Sequence, residues 1–262
     1  MSRETRMPPP KISIIATNFN CGHALDKHLR SIYSQFGTDE FEYVAVDNFS
    51  RDSSPAILRS WSTEHSNFHW SQRHCSMGRG REIAASQSQG QTFLVVDTDT
   101  VYYPILRPFV TRAVSECPRD AVQAIYAGTF PRALWREVGG RHDFNSGEDL
   151  EMWMRLLQVG HMKWYPVRMG DNIKEAWARD SEDFKSSRYS RYGRLSRLMR
   201  SEFDQLRLAR YDAMDLRAIW KSNTIDFGLG KMEQIWFGER PRLSLPDRIG
   251  VFMRRVWHLI QP

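Results

Sequence analysis

Cysteine is scarce in this chain of 262 residues. There are three, Cys21, Cys75 and Cys117, far apart and without a C-x-x-C pair. That pattern offers neither a disulfide framework nor a zinc or redox motif, and an odd, sparse count suits a reducing compartment. Long apolar runs are also missing: none reaches the roughly 18 residues that a membrane-spanning helix needs. Residues 1–10 are polar and proline-rich and lack the apolar stretch of a secretory signal. A cytoplasmic location is therefore expected. His65 and His69 stand four apart, but no H-E-x-x-H surrounds them. There is no internal repeat and no low-complexity segment. What is present is a hydrophobic content of 41%, enough for a substantial core.

Charge is unevenly placed. The net charge is +6, and residues 181–262 alone carry six more basic than acidic residues, so the remainder is neutral. Such asymmetry suggests chemistry in the first part and docking in the second. Ile12, Ile14 and Ile15 lie in a short apolar run that reads as a buried strand. Leu25, Leu29, Ile32, Tyr33 and Phe36 then recur at helical spacing. Tyr43-Val44-Ala45-Val46 and Phe93-Leu94-Val95-Val96 are two further strands. Helices are predicted over 54–64, where Pro55 suits the first turn, and near 80–89. Strand alternating with helix predicts an α/β fold with a mainly parallel sheet flanked by helices.

Each apolar strand runs into a polar cluster. The first ends in Thr17-Asn18-Phe19-Asn20, the second in Asp47-Asn48, the third in Asp97-Thr98-Asp99. In open parallel sheets ligands sit outside the carboxyl ends of the strands, so the three clusters converge on one pocket. In extended chain Asp97 and Asp99 would face the same side and could share a hard cation, Mg2+ or Mn2+. Such an ion would neutralise charge on a departing diphosphate. The plainer alternative is a solvated loop with two acids. Asp47 has a similar choice between binding a ribose or base and starting the turn Asp47-Asn48-Phe49-Ser50. Ser146-Gly147-Glu148-Asp149 precedes an amphipathic stretch. Ser146 and Asp149 are spaced as a capping box, yet Asp149 at a helix start beside a pocket could equally act as a general base.

Taken together, these motifs resemble the family 2 inverting glycosyltransferases, which have the GT-A fold. The resemblance covers about residues 11–160. The opening strand with its Thr17-Asn18-Phe19-Asn20 end, the segment from Val44 to Asp52, the strand ending in Asp97-Thr98-Asp99, and Gly139-Gly140 with Glu148-Asp149 and Arg155 follow the family's order and spacing. The resemblance implies that Thr17, Phe19, Asn20 and Asp47 hold the nucleoside and that Arg81 contacts the nucleotide. It further implies that Asp97 and Asp99 hold diphosphate and metal, with Asp99 the direct ligand. Asp149 would be the base, and Glu148 would help place the acceptor. The implied reaction is a single in-line displacement from a nucleoside diphosphate sugar, with inversion. The chain departs from the family in having Glu82 after Arg81 and Ala84 where a glycine is usual. A Q-x-x-R-W signature of processive synthases is absent after Asp149, so transfer of one sugar to a glycan or lipid-linked acceptor is expected.

The expected division is a GT-A domain over residues 8–185 and a helical basic extension over 186–262. The stretches 188–200 and 249–260 pair arginines with apolar residues at helical spacing, and Trp257 among them suits a membrane interface. The alternative is a helix packed on the domain. Nucleic acid is not expected, because no recognition motif accompanies the basic residues. Two rival functions share the motifs. A nucleotidyltransferase would need a glycine-rich triphosphate loop with lysine, which does not follow the first strand. A non-catalytic sugar-nucleotide-binding protein at a membrane would need no base.

Overall fold

The structure, a computed structural model, describes residues 12–173 and 221–233, with scattered positions between 195 and 257. In chain order the elements are β1 (Ile12–Asn18), α1 (Gly22–Tyr33), β2 (Phe41–Asp47), α2 (Ser54–Glu64), β3 (Phe68–Gln72), α3 (Met77–Gln87) and β4 (Thr92–Val96). There follow β5 (Thr100–Tyr102), α4 (Leu106–Glu116), β6 (Ala121–Ile125), β7 (Ala127–Pro131), α5 (Arg132–Glu137), α6 (Glu148–Gln158), β8 (Met162–Arg168) and β9 (Gly170–Asn172). Seven strands form one sheet in the order β3-β2-β1-β4-β7-β6-β8, and β5 pairs with β9 in a small second sheet.

The strands β3, β2, β1 and β4 run parallel, β7 is antiparallel to both neighbours, and β6 and β8 are again parallel. The predicted α/β architecture with a mainly parallel sheet is therefore present. Its central strands read as continuous apolar runs because both faces are covered. Successive side chains point to opposite faces. Ile14 and Ala16 of β1, Tyr43 and Ala45 of β2, and Leu94 and Val96 of β4 join the core that includes α1 and α4. Their neighbours Ile15, Val44, Val46, Phe93 and Val95 join the opposite core with Ala84, Ala85, Met152 and Leu156.

Six of the nine described strands escaped sequence reading, and three of them show the physical reasons. β3 contains Phe68-His69-Trp70-Ser71-Gln72 and only its first residue is buried. β6 and β7 are short, and the bend between them is made by Tyr126 in the left-handed region. The helical character of the basic stretches 188–200 and 249–260 lies largely outside the described residues.

A buried histidine ties this scaffold together. His28 of α1 is completely buried, with Nδ1 2.7 Å from the Thr100 carbonyl and Nε2 2.7 Å from the Tyr43 hydroxyl. A carbonyl can only accept, so Nδ1 carries the proton and Nε2 accepts from tyrosine. Burial pushes the imidazole from 6.5 down to about 4, with the Thr100 hydrogen bond and the charge of Asp99 opposing. As pH falls below 6.5 the unfolded chain takes up the proton first, so folded stability declines until about pH 4. The expected contribution of His28 to that decline is roughly 3 kcal/mol. Denaturant unfolding at pH 7 and pH 4.5 should show a smaller acid loss in His28→Gln than in the natural chain. Equal losses would reject the linkage.

Candidate active site

The polar strand ends meet at the carboxyl edge of the sheet, as the topology requires. Asn48 N–H donates to the Asn18 carbonyl (2.9 Å), extending the β1–β2 pairing by one bond into the loops. Asn20, at φ 50, accepts from Arg51 N–H through its side chain (2.8 Å) and donates its own N–H to Ser50 Oγ (2.8 Å). Asp47 is completely buried. One oxygen accepts from Asn18 Nδ2 (2.8 Å) and Ser50 Oγ (2.5 Å), the other from Ser50 N–H (2.9 Å) and Gln72 Nε2 (3.0 Å). Of the two roles left open for Asp47, the turn is realised, and a direct nucleoside contact would have to displace one of these donors. Thr17 is half-buried and donates to the Met77 carbonyl at the start of α3 (3.1 Å). What faces outward is aromatic. Phe19 and Phe49 are exposed, and Phe49 stacks on His74 with ring centres 4.0 Å apart.

The acidic motif departs from the extended geometry expected of it. β4 stops at Val96, and a turn closes with Thr100 N–H on the Asp97 carbonyl (3.0 Å). The two carboxylates therefore lie in different surroundings. The Asp97 side chain keeps 35% exposure, whereas Asp99 is completely buried and accepts from Asn172 Nδ2 of β9 (2.7 Å). No group of three potential metal-ligating side chains occurs among the described residues.

Arg81 is the centre of the site. Ser76 caps α3 by accepting from Arg79 N–H, which starts the helix just ahead of Arg81. Two glycines allow the helix to sit close: a Cβ on Gly80 would lie 2.6 Å from Thr17 atoms, and one on Gly78 2.1 Å from the His142 carbonyl. Arg81 thereby reaches across the cleft. Its Nη2 pairs with Asp97 (2.6 Å), and its Nη1 with Glu148 (2.6 Å) and Asp149 (3.2 Å). Arg141, its side chain fully enclosed, pairs with Asp149 from the other side at 2.5 Å. No acceptor meets Arg81 Nε or Arg141 Nε and Nη2 among the described residues. A buried donor left without an acceptor costs about 1–3 kcal/mol.

Sequence reasoning gave no role to Arg141, which follows a turn made by Gly139 and Gly140, both in the left-handed region. Glu82 explains that turn and its own departure from the family. Its carboxylate accepts from Trp135 Nε1 and from Arg141 N–H, each at 2.9 Å, and lies against Gly140, where a Cβ would stand 2.2 Å from Oε2. Glu82 therefore holds the segment that presents Arg141. The capping box is also corrected. Gly147, at φ 75, is the N-cap of α6 and makes no side-chain cap, while the carboxylate of Asp149 goes to the two arginines. Trp164 is 6% exposed and packs near Trp153 in the core.

The charges divide the acidic pair. Burial pushes the Glu148 carboxyl up, the charge of Asp149 adds to this, and the two arginines oppose it. At Asp149 burial also favours the neutral form, but Arg141 and Arg81 overcome it and hold the carboxyl well below the usual range. Asp149 keeps 37% side-chain exposure and Glu148 only 6%, so Asp149 is the acid open to the cleft.

A mainly parallel sheet with acids gathered at its carboxyl edge is the layout that the resemblance to GT-A glycosyltransferases implies. The family model described as "Glycosyl transferase family 2" matches residues 13–186, and the chain belongs to that family. Among solved structures, Pyrobaculum calidifontis mannosyltransferase PcManGT in complex with GDP-Man and Mn2+ is similar at TM-score 0.57 and 16% identity, over 76% of this chain and 65% of that one. S. aureus TarS 1-349 is similar at TM-score 0.54 and 19% identity, over 61% of this chain and 59% of that one. TarS 1-349 in complex with UDP-GlcNAc matches at TM-score 0.52 and 18% identity, over 73% of this chain and 67% of that one. The match thus spans less than two thirds of the length of the first two. No curated protein matches the chain at a significant level.

Proposed function

We propose that the protein transfers one sugar from a nucleoside diphosphate sugar to an acceptor hydroxyl, with inversion and with Asp149 as the general base. One observation carries the reading: Asp97, from the donor side, and Asp149, from the acceptor side, meet on the single buried guanidinium of Arg81. A diphosphate entering beside Asp97 competes with Asp149 for Arg81. The carboxylate, held well below its usual range while clamped, then rises toward the basicity needed to take a proton. Arg141 keeps it oriented throughout. Glu148, enclosed against Arg81, helps set the acceptor's approach.

On the donor side, the outward faces of Phe19 and Phe49 suit a flat base, and Thr17, Asn20 and Asp47 shape the floor beneath it. Mn2+ or Mg2+ fits the donor chemistry of the motif, since such ions take one or two carboxylates and complete their shell with phosphate oxygens and water. Asp97 would supply the accessible oxygen and Asp99 the second. The bound ion would neutralise charge on the leaving diphosphate. PcManGT in complex with GDP-Man and Mn2+ supports this choice.

The acceptor is proposed to be a glycan or a lipid-linked sugar. Ile249, Met253 and Trp257, four residues apart and each more than half exposed, support contact with a membrane surface. Among the described residues no helix is long and apolar enough to cross one.

Calorimetric titration with nucleoside diphosphates, with and without Mn2+, tests the donor side. Asp97→Ala should lose the metal-stimulated part of the affinity, about tenfold or more, and Asp99→Ala should lose it as well. Undiminished metal stimulation in both variants would remove the metal from the reading.

A further inference from the structure

Three described residues of the C-terminal part, Asp204, Arg207 and Leu208, pack on the segment that leads into α6. Asp204 is 3% exposed, and its Oδ2 accepts the N–H groups of Asn145 (2.8 Å) and Ser146 (2.9 Å). Arg207 donates to the Asp143 carbonyl (2.7 Å), lies 3.5 Å from the Asp204 carboxylate and stacks over the Phe144 ring at 3.9 Å. Leu208 covers Gly147, where a Cβ would stand 2.6 Å from its Cδ1. Residues 143–147 are all touched by these three side chains, and residue 147 is the N-cap of the helix that carries Glu148 and Asp149.

We propose that Asp204 is a positioning residue for the acceptor half of the site, so that the extension is part of the catalytic unit and not only a docking appendage. The segment 143–147 makes no strand or helix of its own. Its amides therefore need other partners, and the N-cap Gly147 has no side chain with which to cap α6. A buried carboxylate accepting two backbone N–H bonds supplies them through charge-assisted hydrogen bonds. The loop enters α6 through a left-handed glycine, which admits other paths as readily, so the external clamp selects one. Asp149 follows two residues later. Displacing its carboxylate by about 1 Å can cost on the order of a hundredfold in rate.

This inference rests on Asp149 being the base, and the experiment separates the two. In the full chain, Asp204→Ala and the near-isosteric Asp204→Asn are compared by amide hydrogen exchange over 143–147, by nucleoside diphosphate affinity and by steady-state transfer. Exchange in Asp204→Ala should accelerate about tenfold or more, as two buried bonds are lost. The kcat should fall about tenfold to a hundredfold, with Asp204→Asn intermediate and nucleotide affinity within about twofold. Unchanged exchange overturns the clamp, and faster exchange with unchanged kcat overturns the positioning role. Full turnover in Asp149→Asn would sink the base reading instead, and the exchange arm then decides the clamp by itself.

Discussion

Asp149→Asn is expected to reduce sugar transfer by about a thousandfold, within the span general-base removal usually covers, while nucleoside diphosphate affinity is retained or rises, because a neutral amide competes less for Arg81. The substitution keeps the shape of the side chain and its reach toward Arg141, but an amide cannot take a proton at neutral pH. The proposed donor contacts are on the Asp97 side of Arg81, so donor binding should survive. The pH dependence follows from the clamp. Protonated Asp149 cannot accept a proton, so activity falls as pH drops. In the free enzyme the two arginines hold Asp149 low, and the acid limb of kcat/KM should lie below the ordinary carboxylate range. In the donor-bound enzyme the diphosphate takes a share of Arg81, so the acid limb of kcat should lie at higher pH. Single-turnover and steady-state profiles measure both. Persistent turnover in the asparagine variant, or coincident limbs, would reject the assignment.

Arg81→Met should unfold the chain more readily by about 3 kcal/mol at neutral pH, the lower end for breaking a buried ion pair. The side chain is 4% exposed and serves three carboxylates at once. Without it, Glu148 loses its 2.6 Å partner inside the protein, while Asp97 and Asp149 repel one another across the cleft and can only partly rehydrate. Methionine restores the packing volume but none of the charge. Acid should shrink the difference, because protonation of the freed carboxyls removes the repulsion that arginine had neutralised. Denaturant unfolding of both chains at pH 7 and pH 4.5 measures the gap; a gap that stays constant with pH would mean that the carboxylates are not what Arg81 stabilises. Nucleotide binding should weaken as well, because Asp97 loses the group that orients it.

The sheet was legible because strand burial on both faces leaves an unmistakable apolar run, as in Ile12 to Ala16 and Phe93 to Val96. The location of the cleft was legible for a topological reason: parallel strands ending in Asn20, Asp47 and Asp97 must bring those ends to one edge. The helix boundaries were less so. Helix α3 begins at Met77, three residues before the expected start, because Ser76 caps it where no apolar periodicity announces it.

Contacts distant in the chain were not legible. Arg81 meets Asp149 across 68 positions and Glu148 across 67, and Asp204 meets Asn145 across 59. Spacing along a chain reports which side chains share a face of one element, and it says nothing of how two elements approach. That approach depends on Gly78 and Gly80 letting α3 press against β1 and the 142–148 segment, and on Glu82 shaping the turn before Arg141. The D-x-D motif shows the same division. Local sequence placed two acids after a buried strand. Whether they face one way depended on the turn that follows and on Asn172 from a distant strand, which buries Asp99 and leaves Asp97 open. The amino-acid pattern alone thus established the layered sheet, the edge where its polar strand ends gather and the residue types found there. The shared arginine, the separation of Asp97 from Asp99 and the clamp on the α6 start came from packing. Each depends on distances between elements that no local period encodes.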